Sequence, residues 1–487
     1  MSTDAFGNLD IWTNILQYFK LSLELDSESE AKEKRKCLLR VALLSPSLTT
    51  PALDLLWQNM TSLVPVTQVI NVNLEPLFFF PEVLRFSLDH GGFWTLTCPN
   101  IPNNIRRRVD IYLSRIQHLR LTIGPPKETG AVSILSMALG VNPLLPKLKS
   151  LDLDFRQWKA VGAWIYAIGT LISPSLTSIS YTAVAAAQFE GVMTVQSVLS
   201  WQALALSSIV YRGQFPLTLL GTCMQFRGLV ALKLSNEPSN LPVQRMTFGV
   251  SIINVFENFQ NLVDLEIDLR LLPLLSAKTR TVTPSPFLQT LSITGNSPEI
   301  GEFLAGDIKS SSLQSLIVVM CEPPNLAWKM ACDKVATNFP QLHSLTFRRA
   351  YRSAFRQMLP QDLSSLTSRQ TMRSLELNGI SHCFTEADIC QYLTSLLIHL
   401  SRADHLHTIK LPLDMSFLQD ELLDDATPLT PSRITELTIT DLASSPPSLE
   451  GKIKVAKNLL TLFPSLERVI THSTSSPHKT KMKQRGG

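Results

Sequence analysis

The residues able to break or form a bond are few and scattered. The chain of 487 residues carries nine histidines and seven cysteines. His405 and His407 flank a leucine, so on an extended segment they project to the same side, as a two-histidine metal pair would. A metal needs further ligands. No cysteine or second carboxylate stands at matching spacing, so two exposed strand-edge histidines are the simpler account. The cysteines, at positions 37, 98, 223, 321, 332, 383 and 390, are odd in number and lack C-x-x-C spacing. They read as free thiols of a reducing compartment, neither a disulfide framework nor a zinc site. A thiol that carried an acyl group would need a base or cation beside it. Only Cys37, after KEKRK, has that local charge, and it also opens an apolar helix in which a small buried residue serves packing.

The motifs of phosphate loops, zinc proteases and serine hydrolases are absent, as is a basic helix with interleaved aromatics. Catalytic residues, metal and cofactor are therefore each assigned as none, and the chain is expected not to be an enzyme. What remains is charge that could grip a partner. In FRRAYRSAFR, Arg348, Arg349, Arg352 and Arg356 could hold a phosphorylated or acidic segment through charge-assisted bonds, although a solvated helix is the simpler account. Arg106, Arg107 and Arg108 read as surface.

Composition narrows the class. Hydrophobic residues make up 45% of the chain, which excludes disorder as a whole, and a net charge of +4 is too small at this length to imply nucleic acid. Residues 160–211 carry one formal charge, Glu190, but polar residues and Pro174 interrupt them before any apolar run reaches a membrane span. The acidic, polar N-terminus is not a secretory signal. A soluble protein of the cytoplasm, the nucleus or both is expected. The polar, basic stretch at 473–487 predicts a disordered tail, compatible with a nuclear address.

The elements that must position any contact surface emerge from a repeat. The pattern apolar-x-x-apolar-x-apolar begins at Ile116, Leu148, Leu176, Leu206, Leu229, Leu262, Leu288, Leu313, Leu342, Met372, Leu406, Ile434 and Leu466. The interval is about 29 residues, a period of the stacked-repeat class. The last two apolar positions, two apart, face the same side of a short strand, and such a strand needs neighbours in a parallel stack. The residues between strands suffice for a helix and two turns. Pro146, Pro174, Pro286, Pro340 and Pro464, each two residues before the leading apolar position, mark a helix exit.

Residues 8–60 have a different rhythm. In NLDIWTNILQYF, Leu9, Trp12, Ile15, Leu16 and Phe19 share one helical face. The charged stretch ELDSESEAKEKRK reads as a solvated loop or helix extension, and CLLRVALLSPSL as an apolar helix ending before Pro46. TTPALDLLWQNM reads as a third helix, with Thr50 as N-cap, Pro51 at the first position and a buried stripe of Ala52, Leu53, Leu56 and Trp57.

Two resemblances follow from these residues. The L-x-x-L-x-L cores resemble leucine-rich repeats, without the Asn or Cys that usually comes next. The order LDIWTNILQYF, CLLRVALLSPSL, ALDLLW resembles the F-box, with Asp10 where that family prefers proline. Together they resemble fungal F-box proteins with divergent leucine-rich repeats. The fold implied is α/β: a small three-helix F-box-like unit (1–62), a bridging segment packed on the solenoid (63–110), a curved solenoid with parallel strands on the concave face and helices outside (111–472), and the tail (473–487). A plain α/β domain with a parallel sheet is the alternative.

The function implied is a non-catalytic substrate-recognition subunit of a Skp–cullin–F-box ubiquitin ligase. By position, Leu9, Ile11, Ile15, Leu16, Leu39, Val41, Leu43 and Leu48 would dock the Skp adaptor, though some must instead hold the three helices together. The outward strand positions would meet a protein substrate: Arg120, Asp152, Asp154, Arg212, Lys233, Asp264, Glu266, Asp268, Arg348, Glu376, Lys410 and Glu436. Two other readings stay open. A leucine-rich-repeat scaffold would use the N-terminal helices merely as a solenoid cap. A GTPase activator built on such repeats would need a positioned arginine or asparagine near the concave rim, and nothing in the sequence singles one out.

Overall fold

A computed structural model gives the architecture. It describes residues 9–74 except 23–25, two short strands at 86–88 and 94–96, and most of 102–473; the larger breaks in that stretch are 124–130, 157–167, 236–257, 272–284, 322–327, 350–359, 378–394, 414–431 and 442–447. The chain divides into two units, Met1–Pro242 and Val243–Gly487.

The first unit begins with three helices, α1 (Leu9–Gln17), α2 (Glu28–Leu44) and α3 (Pro46–Gln58). The charged stretch proves to be the first half of α2. Ser27 caps it by accepting from the Glu30 amide, while the Glu30 carboxylate accepts from the Ser27 amide, a reciprocal capping box. Ser45, in extended geometry, ends α2 and caps α3, and Pro46 takes the first turn of α3. The expected start at Thr50 and Pro51 is thus one turn late, because Ser45 and Pro46 supply the same cap chemistry earlier. Leu16, Leu38, Ala42, Ala52 and Leu55 form the core of this bundle, with Phe19, Val41, Leu53 and Leu56 against it.

After α3, β1 (Asn59–Met60) leads to α4 (Val64–Leu74), an antiparallel pair β2 (Phe86–Leu88) and β3 (Trp94–Leu96), and α5 (Asn103–Leu113). Leu63, Val66, Ile105 and Val109 of this bridge are buried. Phe78, Phe79 and Phe80 lie outside the described residues. The strands β4 (His118–Thr122), β5 (Ser150–Asp154), β6 (Ser178–Ala183), β7 (Ser208–Gly213) and β8 (Ala231–Ser235) then pair in parallel, each with the next, and β1 adds to β4 with Asn59 opposite His118. Gly213, at the end of β7, has φ +121°, and a Cβ there would sit 1.7 Å from the Ala183 carbonyl oxygen. Only glycine allows the strands to approach so closely at that point.

The second unit repeats the arrangement. The strands β9 (Asp264–Asp268), β10 (Thr290–Gly295), β11 (Ser315–Met320), β12 (Ser344–Arg349), β13 (Ser374–Leu377), β14 (Thr408–Leu413), β15 (Glu436–Asp441) and β16 (Arg468–Ser473) pair in parallel in chain order. The registers align the motif itself: Leu345 stands opposite Leu316 on one side and Leu375 on the other. Helices lie between strands. Trp328 of the helix Trp328–Asn338 meets Phe347 of β12 edge-on at 5.3 Å, so this helix covers the apolar face of the strand.

The prolines have a sharper role than helix exit. Leu342 N–H donates to Phe339 C=O, placing Pro340 second in a hydrogen-bonded β-turn, where its fixed φ fits. The same bond brackets Pro146 (Leu148 to Leu145), Pro174 (Leu176 to Ser173), Pro286 (Leu288 to Ser285) and Pro464 (Leu466 to Phe463). At Pro340 and Pro464 the turn directly follows a helix, Trp328–Asn338 and Leu449–Leu462, and leads the chain from it onto the sheet. The ladder then starts in a fixed way: the carbonyl after the leading apolar residue accepts two amides of the next repeat, as Gln314 does from His343 and Ser344. Twelve of the leading apolar residues, from Ile116 to Ile434, are buried, and only Leu466 is half-exposed. The α/β fold is therefore a stack of parallel-strand repeats, the solenoid form that the sequence implied, within each unit.

Candidate interaction surfaces

On α1 and α2 the heptad-like spacing produces two faces. One is the shared core. The other carries Ile11, Ile15 and, just beyond the helix, Tyr18 on the first segment, with Leu39, Leu43 and Leu44 on the second, all exposed. Leu43 is 80% exposed and Ile15 40%. Among the described residues these side chains stay exposed, and exposed apolar patches are a common mark of binding surfaces.

Two residues of the docking set expected from sequence are buried and serve instead to hold the helices together. Leu16 and Leu48 are each 1% exposed and belong to the interior. Val41 is half-buried against the core, because it neighbours Ala42 on the inward side of α2. Ile11, Ile15, Leu39 and Leu43 are available, and the side chain of Leu9 lies outside the described residues. Tyr18 and Leu44, which the positional match to the F-box passed over, extend the face. Their place at a helix end was the signal, since an apolar residue there has no turn beyond it to pack on.

Other residues of this bundle, on α3, are fixed to the first repeat. Arg115 pairs with Asp54 at 2.9 Å, the Trp57 ring lies 4.8 Å from Tyr112, and the Gln117 amide donates to the Gln58 carbonyl. The buried Asn59 side chain donates to Leu21 C=O at 2.6 Å, tying the end of the α1 segment to the sheet edge. Arg106 is also engaged, donating to Leu139 C=O, while Arg107 and Arg108 are exposed.

Outward strand positions fall where alternation put them, and most are charged residues already neutralised by a neighbour. In the first unit Arg120 pairs with Asp152 at 3.0 Å across adjacent strands, and Asp154 holds Arg156 at 2.7 Å. The two aspartates of β5 shift oppositely. Burial raises Asp152 above the usual carboxylate range despite Arg120. Burial pushes on Asp154 too, but the hydrogen bonds from Arg156 outweigh it and hold that carboxyl low. Arg212 is exposed and Lys233 partly so.

In the second unit Glu376 bridges two cations, Arg348 and Lys410, each at 3.3 Å, on the strands to either side. Asp264, Glu266 and Glu436 are half-exposed. Asp268 departs from expectation. It has no exposed surface, and its carboxylate accepts from the Arg270 amide and guanidinium. An acid at the last outward position, followed two residues later by arginine, folds into a local fork and is lost to any substrate. The side chain of Arg349, and Arg352 and Arg356, lie outside the described residues, so the arginine cluster is represented by Arg348 alone.

No cluster of three metal-ligating side chains occurs among the described residues. The Arg373 guanidinium donates to His407 Nε2 at 3.0 Å. Cys37 is half-buried on α2, while burial pushes the Cys223 and Cys332 thiols up to about 12, where they are inert. No described helix is long and apolar enough to cross a membrane.

No protein-family model matches the chain, and no curated protein matches it. Among solved structures, a leucine-rich-repeat protein of Leptospira interrogans is similar at 13% identity and a TM-score of 0.29, over 81% of this chain and 98% of that one. The fold assignment rests on the strand order and registers above.

Proposed function

We propose that the chain is the substrate-recognition subunit of a Skp–cullin–F-box ubiquitin ligase, with the N-terminal helices docking the Skp adaptor and the repeat strands holding a protein substrate. One observation carries the reading: a three-helix bundle that completes its own core and still exposes Ile11, Ile15, Tyr18, Leu39, Leu43 and Leu44. The mechanism would be positional and non-catalytic. Holding a substrate lysine near activated ubiquitin raises its effective concentration without any bond chemistry in this chain.

A second reading has its own support. The contacts of α3 and β1 with β4 and α5 are those of a cap on the first repeat, which fits a leucine-rich-repeat interaction scaffold. A cap alone, however, has no need of so many exposed apolar side chains on its first two helical segments. Co-purification of the full chain with the Skp adaptor, beside an Ile15→Asp/Leu43→Asp variant, separates the two. Binding that the variant loses while retaining its circular dichroism supports the ligase reading. A folded wild-type chain that ignores the adaptor leaves the scaffold.

A further inference from the structure

One row of the first unit's sheet departs from the apolar pattern of the repeat. From β4 to β8 the same inward position reads Leu121, Leu153, Tyr181, Tyr211 and Leu234. Both tyrosines are wholly buried, with ring centroids 6.3 Å apart. The covering helices contribute two more polar groups. Gln196, on the helix Phe189–Gln202, has no exposed surface and follows the inward Val192 and Val195. Its amide nitrogen donates at 3.2 Å to the sulfur of Cys223, the buried last residue of the helix Leu217–Cys223.

Within this cluster the Tyr181 hydroxyl and Gln196 Oε1 find no hydrogen-bond partner among the described residues. Burial, and then the nearby Cys223 sulfur, keep the hydroxyl protonated, so it has a proton to donate. The amide oxygen can only accept. Cys223 touches Gln196 and lies within electrostatic reach of Tyr181 without bonding to it, so the two orphaned atoms border one space. A buried donor and a buried acceptor left unpaired are costly, and leucine fills this row in the strands to either side at no such cost.

We propose that this space is a binding site for a single ordered water, which accepts from the Tyr181 hydroxyl and donates to Gln196 Oε1. The site selects that occupant. Its side chains are wholly buried, so what enters is small. They carry no charge, so the occupant is neutral. It must also offer an acceptor to one group and a donor to the other, which water does. The Cys223 sulfur, a weak acceptor, takes its second hydrogen. The water thereby joins β6 to two covering helices through a polar contact in the middle of an apolar layer.

The test is a double-variant cycle in the full chain, read by urea unfolding with a probe in the first unit. A hydroxyl left unpaired weakens the fold, so its removal would leave stability unchanged or higher. One bonded to water strengthens it, so Tyr181→Phe should favour unfolding by about two- to tenfold. Gln196→Leu should favour it further, since it also loses the Cys223 contact. The two substitutions together should cost less than the product of their separate effects, because the water leaves with its second partner and no group stays unpaired. A crystal structure of the full chain should show water density within hydrogen-bonding distance of both atoms. Tyr181→Phe at or above wild-type stability, effects that simply multiply, a direct bond between Tyr181 and Gln196, or no density between them would each overturn the proposal.

Discussion

Two repeats contain the same local device in different surroundings, and the difference can be measured. Asp154 and Arg156 form an i, i+2 fork at 2.7 Å; Asp268 and Arg270 form another at 2.6 Å. The hydrogen bonds match, since in each case the aspartate also accepts the arginine backbone amide at 3.0 Å. Solvent differs: Arg156 is 51% exposed and its partner Asp154 15%, whereas Arg270 is 15% exposed and Asp268 wholly buried. Where the arginine lies in solvent and the carboxylate still reaches it, water takes the place of the lost partner, at a cost of about 0 to 1 kcal/mol. Removing the partner of a buried charge strands the other in a medium that solvates it poorly, at about 3 to 5 kcal/mol. Arg270→Ala should therefore destabilise the second unit by about 3 kcal/mol or more, close to two orders of magnitude in its unfolding equilibrium. Arg156→Ala should change the first unit by less than about 1 kcal/mol. The double variant Asp268→Leu/Arg270→Leu should recover most of the loss, because no charge is left unpaired. The assay is urea unfolding of the full chain, followed by separate probes for the two units since a two-unit chain need not unfold in one step. Equal losses at the two forks, or a double variant as unstable as Arg270→Ala, would refute the argument that burial and not geometry sets the energy.

Three further outcomes are expected. Gly213→Ala should destabilise the first unit by about 2 kcal/mol or more, because the added methyl group collides with the Ala183 carbonyl and the backbone must shift; an unchanged melting temperature would contradict this. Leu16→Asp should unfold the N-terminal bundle, visible as lost helical circular dichroism, whereas Leu43→Asp should leave it intact, since only the first side chain is buried. The hydrogen bonds from the backbone and then the hydroxyl of Ser27 hold the Glu30 carboxyl below its ordinary 4.5. A depressed acid contributes stability above its unfolded value and loses it as pH falls through the folded one. Helicity of α2 should accordingly weaken as pH falls below 4.5, and Glu30→Gln should flatten that acid response.

Much of the architecture was legible because it repeats. A period of about 29 residues with two apolar positions set two apart leaves few folds other than stacked parallel strands, and in five of the thirteen repeats a proline two residues before the leading apolar residue marks where the strand begins. The three N-terminal helices were legible from their 3.6-residue stripes. The start of α3 was misplaced by one turn because SPS and TTP both carry a helix-start signal. Choosing between them depends on where α2 ends, which is a matter of packing.

The surfaces were only half legible. Alternation told which strand residues point outward, and the chain bears that out at Arg120, Asp152 and Glu376. It could not tell that Arg270 would close over Asp268, since the fork depends on the local path after β9 and on what covers it. Nor could helical spacing divide Ile15 from Leu16, adjacent residues on one apolar arc. The sequence by itself determined the periodic elements and the side of each strand that faces the core, because those follow from local geometry and apolar spacing. Only the tertiary structure decided which apolar side chains are buried and which are left over for a partner, because exposure is a property of what lies alongside, and neighbours about 29 residues away are not encoded in any one repeat.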